Sequence, residues 1–143
     1  MIKEVTRHIV FRLAGVVTQA SHGAPCLIPG MGELLQELSP DFTLWLFCEP
    51  VPEEPVAVLE SLQLDRLISR ARWLFASERF CVAMPKELIE ELMVRTDGRQ
   101  GELLWIDDRP AVTSAMIRAG LNAVVFVDAF RLRRNLVLRG LVQ

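Results

Sequence analysis

Residues 102–142 have the pattern of a strand, a helix and a second strand, and this unit constrains the fold more than any other segment. Leu103 to Ile106 is a short apolar run that ends at two adjacent aspartates, Asp107 and Asp108. A helical segment follows, and residues 123–127 are again apolar. Strands that alternate with helices form parallel sheets, and ligands collect just outside the carboxyl ends of such strands. The paired aspartates are therefore a candidate Mg²⁺ site.

The rest of the chain repeats this alternation of strands and helices. Further strands are predicted at His8–Phe11, Phe42–Phe47 and Arg72–Phe75, and further helices at Glu33–Leu38, within 56–69, at Lys86–Met93 and after Asp128 as an N-cap. Thr18 to Pro29 has the composition of a loop. We therefore predict one α/β domain over residues 1–143, with a doubly wound, mainly parallel five-stranded sheet and helices on both faces.

Charge and cysteine content limit the partners and the compartment. The 143 residues carry a net charge of −2 and are 51% hydrophobic, so we expect a globular protein without a nucleic-acid partner. No apolar run approaches the ~20 residues that span a bilayer, and we expect no association with a membrane. Cys26, Cys48 and Cys81 lack metal-type spacing and are expected to be free thiols. With no secretion signal in MIKEVTRHIVF, the expected location is the cytoplasm.

Five segments of the chain span roughly residues 8 to 139: IVFRLAGVV, PGMGELLQELS, FTLWLFCE, AMPKELIEEL and LLWIDDRPAVTSAMIRAGLNAVVF. Together they resemble the haloacid dehalogenase-like (HAD) superfamily of phosphatases and related hydrolases. The resemblance implies a Rossmann-like core and Mg²⁺-dependent phosphoryl transfer. In the family, the first aspartate of the opening motif attacks phosphorus to form an aspartyl-phosphate, and the second protonates the leaving group.

The chain departs from the family at the positions that carry this chemistry. Arg12 and Ala14 stand where the resemblance places the two aspartates, and Cys48 stands where it places the phosphoryl-binding serine or threonine. Met84 occupies the position of the family lysine, and Lys86 is two positions out of register. A guanidinium stays protonated and cannot be the nucleophile, and alanine cannot transfer a proton.

Asp107 and Asp108 keep the residue type of the family motif. By resemblance, the first would bind Mg²⁺ and the second would support it. We expect Arg12 to replace the ion by pairing with Asp107, Asp108 or both, since adjacent carboxylates need a counter-charge. In two alternatives, Arg12 extends to solvent or binds an anionic ligand. No cofactor is expected.

Two further residues are weaker candidates for chemistry. Cys48 is a possible nucleophile or redox sensor, although a thiol at the end of an apolar strand is typical of a small buried residue. His22 lies in the segment after the first strand and is a possible general base, although a solvated loop histidine has the same pattern. It has no serine or cysteine partner at motif spacing.

The short connections between elements bear on the function. The segments from Gly15 to Pro29 and from Phe75 to Pro85 are too short for a cap domain, so the cleft is expected to be open and bordered by a small flap from 15 to 28. By resemblance, an uncapped member favours a macromolecular partner. We predict a HAD-like pseudoenzyme that acts as an interaction, regulatory or assembly module, with a protein partner or a two-fold homodimer. The alternative is a divergent hydrolase with weak Mg²⁺-dependent activity through Asp107 and Asp108, or one that uses Cys48.

Overall fold

Five parallel strands form the central sheet of this computed structural model, which describes residues 5–21, 24–49 and 60–143. The seven strands of the described chain are β1 (His8–Arg12), β2 (Thr18–Ser21), β3 (Ala24–Leu27), β4 (Thr43–Cys48), β5 (Trp73–Phe75), β6 (Leu103–Asp107) and β7 (Asn122–Val125). The sheet has the order β5-β4-β1-β6-β7, and every neighbouring pair in it is parallel. The predicted five-stranded parallel sheet is confirmed.

Helices cover both faces of the sheet, as predicted. They are α1 (Met31–Leu38), α2 (Pro85–Thr96), α3 (Pro110–Arg118) and α4 (Ala129–Leu138), with 3₁₀ turns at Leu64–Arg66, Arg70–Arg72 and Gln100–Glu102. The apolar sides of α1 and α4 pack on one face of the sheet, and those of α2 and α3 pack on the other. Prolines occupy the first positions of α2 and α3, where the missing N–H has no intrahelical partner to lose. Asp128 caps α4 by accepting from the Arg131 backbone N–H at 2.7 Å.

The segment predicted as a loop between 18 and 29 is instead a β-hairpin. Strands β2 and β3 pair antiparallel, with Thr18 opposite Leu27. The loop prediction was wrong because proline, as at Pro25, usually interrupts a strand. In a two-stranded ribbon both strands are edge strands, and an edge strand tolerates proline. The hairpin lies within residues 15–28, the segment that was expected to form a flap. Residues 50–59, which include part of the predicted helix within 56–69, lie outside the described residues.

The strand order determines where the functional side chains meet. Strand β1 lies between β4 and β6, with Arg12 in register with Phe47 and Phe11 with Ile106. Parallel strands end at the same edge, so the residues that end β1, β4 and β6 converge. Only the hairpin separates β1 from α1 in the described chain, and nine residues separate β5 from α2. The described residues therefore contain no cap domain.

Candidate functional site

Arg12, at the carboxyl end of β1, bridges two carboxylates from neighbouring strand ends. Its Nε donates to Glu49 Oε1 at 2.7 Å, and its Nη1 donates to Asp108 Oδ1 at 2.7 Å. The Arg12 side chain is 19% exposed, so these charge-assisted bonds lie in a partly desolvated setting. Arg12 thus pairs with Asp108 and with Glu49, a residue that the sequence analysis did not single out.

Asp107 is held by a different arginine. Its Oδ1 accepts from the backbone N–H and the Nε of Arg109, and its Oδ2 accepts from Arg109 Nη2 and from Trp105 Nε1. The Asp107 side chain is fully buried. Burial acts to raise the pKa of this carboxyl, but the hydrogen bonds and charge of Arg109 outweigh it and hold the pKa below the ordinary value. Asp107 is therefore a buried carboxylate with its counter-charge built in.

Glu49 joins the two arginines into one network. Its Oε1 accepts from Arg12 Nε and from Arg109 Nη2 at 2.8 Å, and its Oε2 accepts from Arg109 Nη1 at 3.1 Å. The chain of contacts runs Asp108–Arg12–Glu49–Arg109–Asp107, with opposite charges alternating throughout. We call these five residues the strand-end network.

The loop after β1 fits closely against this network. Gly15 has a φ of +94°, in the left-handed region that favours glycine. A Cβ atom at this position would lie 2.5 Å from Asp108 Oδ2. The turn is fixed by the Gly15 N–H, which donates to the Thr18 carbonyl at 2.8 Å. Glycine at position 15 therefore lets the Asp108 carboxylate pack against the backbone.

The remaining predicted site residues have ordinary surroundings. Cys48 is buried at the end of β4, and this burial raises its pKa to about 12, so the thiolate nucleophile is not available near neutral pH. Ala14 is exposed. Met84 immediately precedes α2, and Lys86 is exposed in the first turn of that helix. His22 lies outside the described residues.

Two members of the strand-end network were missed in the sequence. Glu49 directly follows Cys48, and Arg109 directly follows Asp108. Their positions directly after strand ends were a usable signal, but neither residue stands at a position that the family motifs mark. The pairing of Arg12 with Asp107 was one of the predicted options, and it does not form, because Arg109 occupies both oxygens of that carboxylate.

The donor set at this edge does not fit a Mg²⁺ ion. A divalent cation at Asp107 would have to displace the Arg109 guanidinium, and one at Asp108 Oδ1 would have to displace Arg12. Mg²⁺ requires near-octahedral oxygen coordination, which two guanidinium groups oppose by charge and by position. Within the described residues, no group of three or more His, Cys, Asp or Glu side chains is arranged to hold a metal.

No family model and no curated protein matches the sequence. Solved structures do match in fold. An uncharacterised protein from Corynebacterium glutamicum has a TM-score of 0.67 at 14% identity, covering 96% of this chain and 98% of that one. A predicted HAD-like family hydrolase from Porphyromonas gingivalis has a TM-score of 0.64 at 14% identity, covering 95% and 99%. A haloacid dehalogenase-like family hydrolase from Xanthomonas campestris has a TM-score of 0.64 at 13% identity, covering 82% of this chain and 52% of that one.

Proposed function

We propose that this chain, which has the fold of the HAD-like hydrolases, is a non-catalytic protein that acts as an interaction, regulatory or assembly module. One observation carries the proposal. Arg12 stands where the resemblance places the attacking aspartate, and it is bonded to both Glu49 and Asp108. Fold alone does not supply an activity, so the argument depends on these side chains.

The groups needed for phosphoryl transfer are missing at the matching positions. A guanidinium is protonated at every physiological pH and has no electron pair to attack phosphorus. Ala14 has no proton to give to a leaving group, and the buried thiol of Cys48, with a pKa of about 12, is neutral near pH 7. Neither Arg12, at the family's nucleophile position, nor Cys48 can therefore attack phosphorus near neutral pH.

The hydrogen bonding of the network argues against a metal cofactor. Three carboxylates and two guanidiniums leave a net charge of −1, and the carboxylate oxygens that a divalent ion would need are already bonded to the guanidiniums. Arg12 and Arg109 both point their donors at the carboxylates that would have to bind the ion. We therefore propose that the two arginines replace Mg²⁺ as the counter-charge of Asp107 and Asp108, and that the protein needs no cofactor.

An open strand-end edge favours a macromolecular partner over a small metabolite, since the described residues include no cap domain to enclose one. We propose another protein chain as the partner and the cytoplasm as the location. All three cysteines are free thiols, which is typical of a reducing compartment. None of the helices in the described ranges is long and apolar enough to cross a membrane.

A phosphatase assay tests the proposal. The natural protein, Asp107→Ala and Asp41→Ala are incubated with an aryl phosphate and Mg²⁺, with Asp41 as an exposed aspartate outside the network. We expect no turnover above buffer from any of the three, and no rise in melting temperature with Mg²⁺, since only an ion that binds the folded state stabilises it. Turnover that Asp107→Ala abolishes and Asp41→Ala preserves would instead establish a divergent hydrolase.

A further inference from the structure

Among the described residues, the two most exposed large apolar side chains lie on the outward side of α4. Phe130 is 77% exposed and Leu138 is 80% exposed. Arg134 lies between them, four residues from each, so the three form one stripe along the helix. We call Phe130, Arg134 and Leu138 the α4 stripe.

None of the described residues compensates the charge of the α4 stripe. Arg131 has Asp128 as its partner at 3.6 Å, and Arg133 has Glu37 at 2.8 Å. Arg134 forms no ion pair with any residue in the described part of the chain. The stripe is therefore two apolar groups flanking one unpaired cation.

A groove with the complementary character lies along α2, on the opposite face of the sheet. It has a volume of about 480 Å³, and its walls include Phe80, Glu87, Glu90 and Val94. Val94 is 74% exposed. Neither Glu87 nor Glu90 forms an ion pair with another described residue. We call this the α2 groove.

The cations in the α2 groove leave its acidic residues available. Arg95 is paired with Glu91 at 2.9 Å, and its guanidinium lies 4.2 Å from the centre of the Phe80 ring. Arg79 also lines the groove. The lining therefore contains three carboxylates, Glu87, Glu90 and Glu91, and two guanidiniums, Arg79 and Arg95, which leaves the groove with a net charge of −1.

We infer that the α4 stripe of one copy docks, antiparallel, into the α2 groove of a second copy. Arg134 follows Phe130 by about one helical turn, and Glu90 precedes Val94 by the same distance. An antiparallel alignment therefore brings Phe130 onto Val94 while Arg134 meets Glu90. The inference rests on the proposed assembly role and specifies its partner and surface.

The contact joins different surfaces, so it is head-to-tail. Helices α2 and α4 pack on opposite faces of the sheet, which leaves each molecule free to use both surfaces at once. Contacts of this type produce rings or filaments. The sequence predicted a two-fold dimer without specifying its surface, and a two-fold dimer through α4 would place Arg134 of one copy against Arg134 of the other.

Sedimentation of the purified protein tests the inference. From about 10 μM to about 1 mM, the range of weak contacts of modest area, we expect the weight-average mass of the natural protein to rise at least twofold. Arg134→Glu and Glu90→Arg should each remain monomeric, while Arg66→Glu, an exposed charge reversal outside both surfaces, should associate like the natural protein. An equimolar mixture of Arg134→Glu and Glu90→Arg should associate again, because every contact of an alternating assembly then pairs a cation with a carboxylate.

Other results would overturn the inference. They are a natural protein that stays monomeric at about 1 mM, association that persists in either charge-reversed variant, or an equimolar mixture that stays monomeric. Phe130→Ser and Val94→Ser, which remove the apolar pair of this register, repeat the test without charge reversal, should either charged variant fail to fold. Flotation with phosphatidylserine vesicles that Phe130→Ser abolishes, without self-association, would identify a membrane surface instead. The phosphatase assay is independent of these masses, so failure of assembly and failure of the non-catalytic role are separable.

Discussion

Arg109 binds the carboxylate of Asp107, two residues before it, through three donors. The backbone N–H and Nε bond Oδ1 at 2.9 and 3.0 Å, and Nη2 bonds Oδ2 at 2.9 Å. Because Asp107 is fully buried, these contacts are what allow a charged group at the centre of the strand-end edge.

Replacing Arg109 by alanine should destabilise the fold strongly. The substitution leaves a buried carboxylate without its counter-charge, and we expect the free energy of unfolding to fall by about 3 kcal/mol. Urea denaturation of the purified variant measures the change. Arg133→Ala removes an ion pair that is exposed on α4 and should have a far smaller effect. Equal losses in the two variants would contradict the structural role of Arg109.

Replacing Arg12 by alanine should have a smaller effect. The carboxylates of Glu49 and Asp108 are 26% and 33% exposed, so water replaces part of the lost contact, and we expect a loss of about 1 to 2 kcal/mol. Arg12→Lys keeps the charge but cannot bond both carboxylates through a planar fork, and it should fall between the natural protein and Arg12→Ala. Unchanged unfolding of Arg12→Ala would show that the side chain points to solvent.

Gly15→Ala should disrupt the packing of Asp108. The new methyl group would lie 2.5 Å from Asp108 Oδ2, in addition to the strain of a left-handed alanine. Gly140→Ala is the matched control, since its φ is +77° and no atom lies within 4 Å of the added Cβ. We expect Gly15→Ala to lower the melting temperature clearly more than Gly140→Ala does. A similar shift in both would mean that Asp108 does not pack on this turn.

Acid should weaken the fold through Asp107. Its folded pKa lies below the ordinary value of 3.8, so it stabilises the folded state above that pH, and the stabilisation is lost as the pH falls through the folded pKa. The free energy of unfolding of Asp107→Asn should therefore approach that of the natural protein as the pH falls from about 5 to about 2. A difference that stays constant across this range would contradict the depressed pKa.

The three cysteines should differ in reactivity. Burial raises the pKa of Cys48 to about 12, whereas Cys26 and Cys81 are partly exposed. Iodoacetamide at neutral pH should therefore label Cys26 and Cys81 in the native protein and spare Cys48. Peptide mass spectrometry measures the labelling, and unfolding in urea provides the control in which all three react. Rapid labelling of Cys48 in the native protein would contradict its raised pKa and would make it a candidate nucleophile again.

The alternation of apolar and amphipathic segments was enough to predict the sheet, its parallel strands and the helices on both faces. This information is local, because the period of burial along each segment follows from the element that it forms. The same local information gave a wrong prediction for the hairpin at residues 18–27. The segment has the composition of a loop, but the pairing of two strands decides its structure.

The sequence by itself determined that the candidate edge carries Arg12, Asp107 and Asp108, since each directly ends or follows a strand. Only the tertiary structure decided which charges meet there. Arg12 and Glu49 are 37 residues apart, and Glu49 and Arg109 are 60 apart. These pairs form because β1 lies between β4 and β6 in the sheet. Coulombic contacts depend on distance in space, and strand order, which no local pattern encodes, sets that distance.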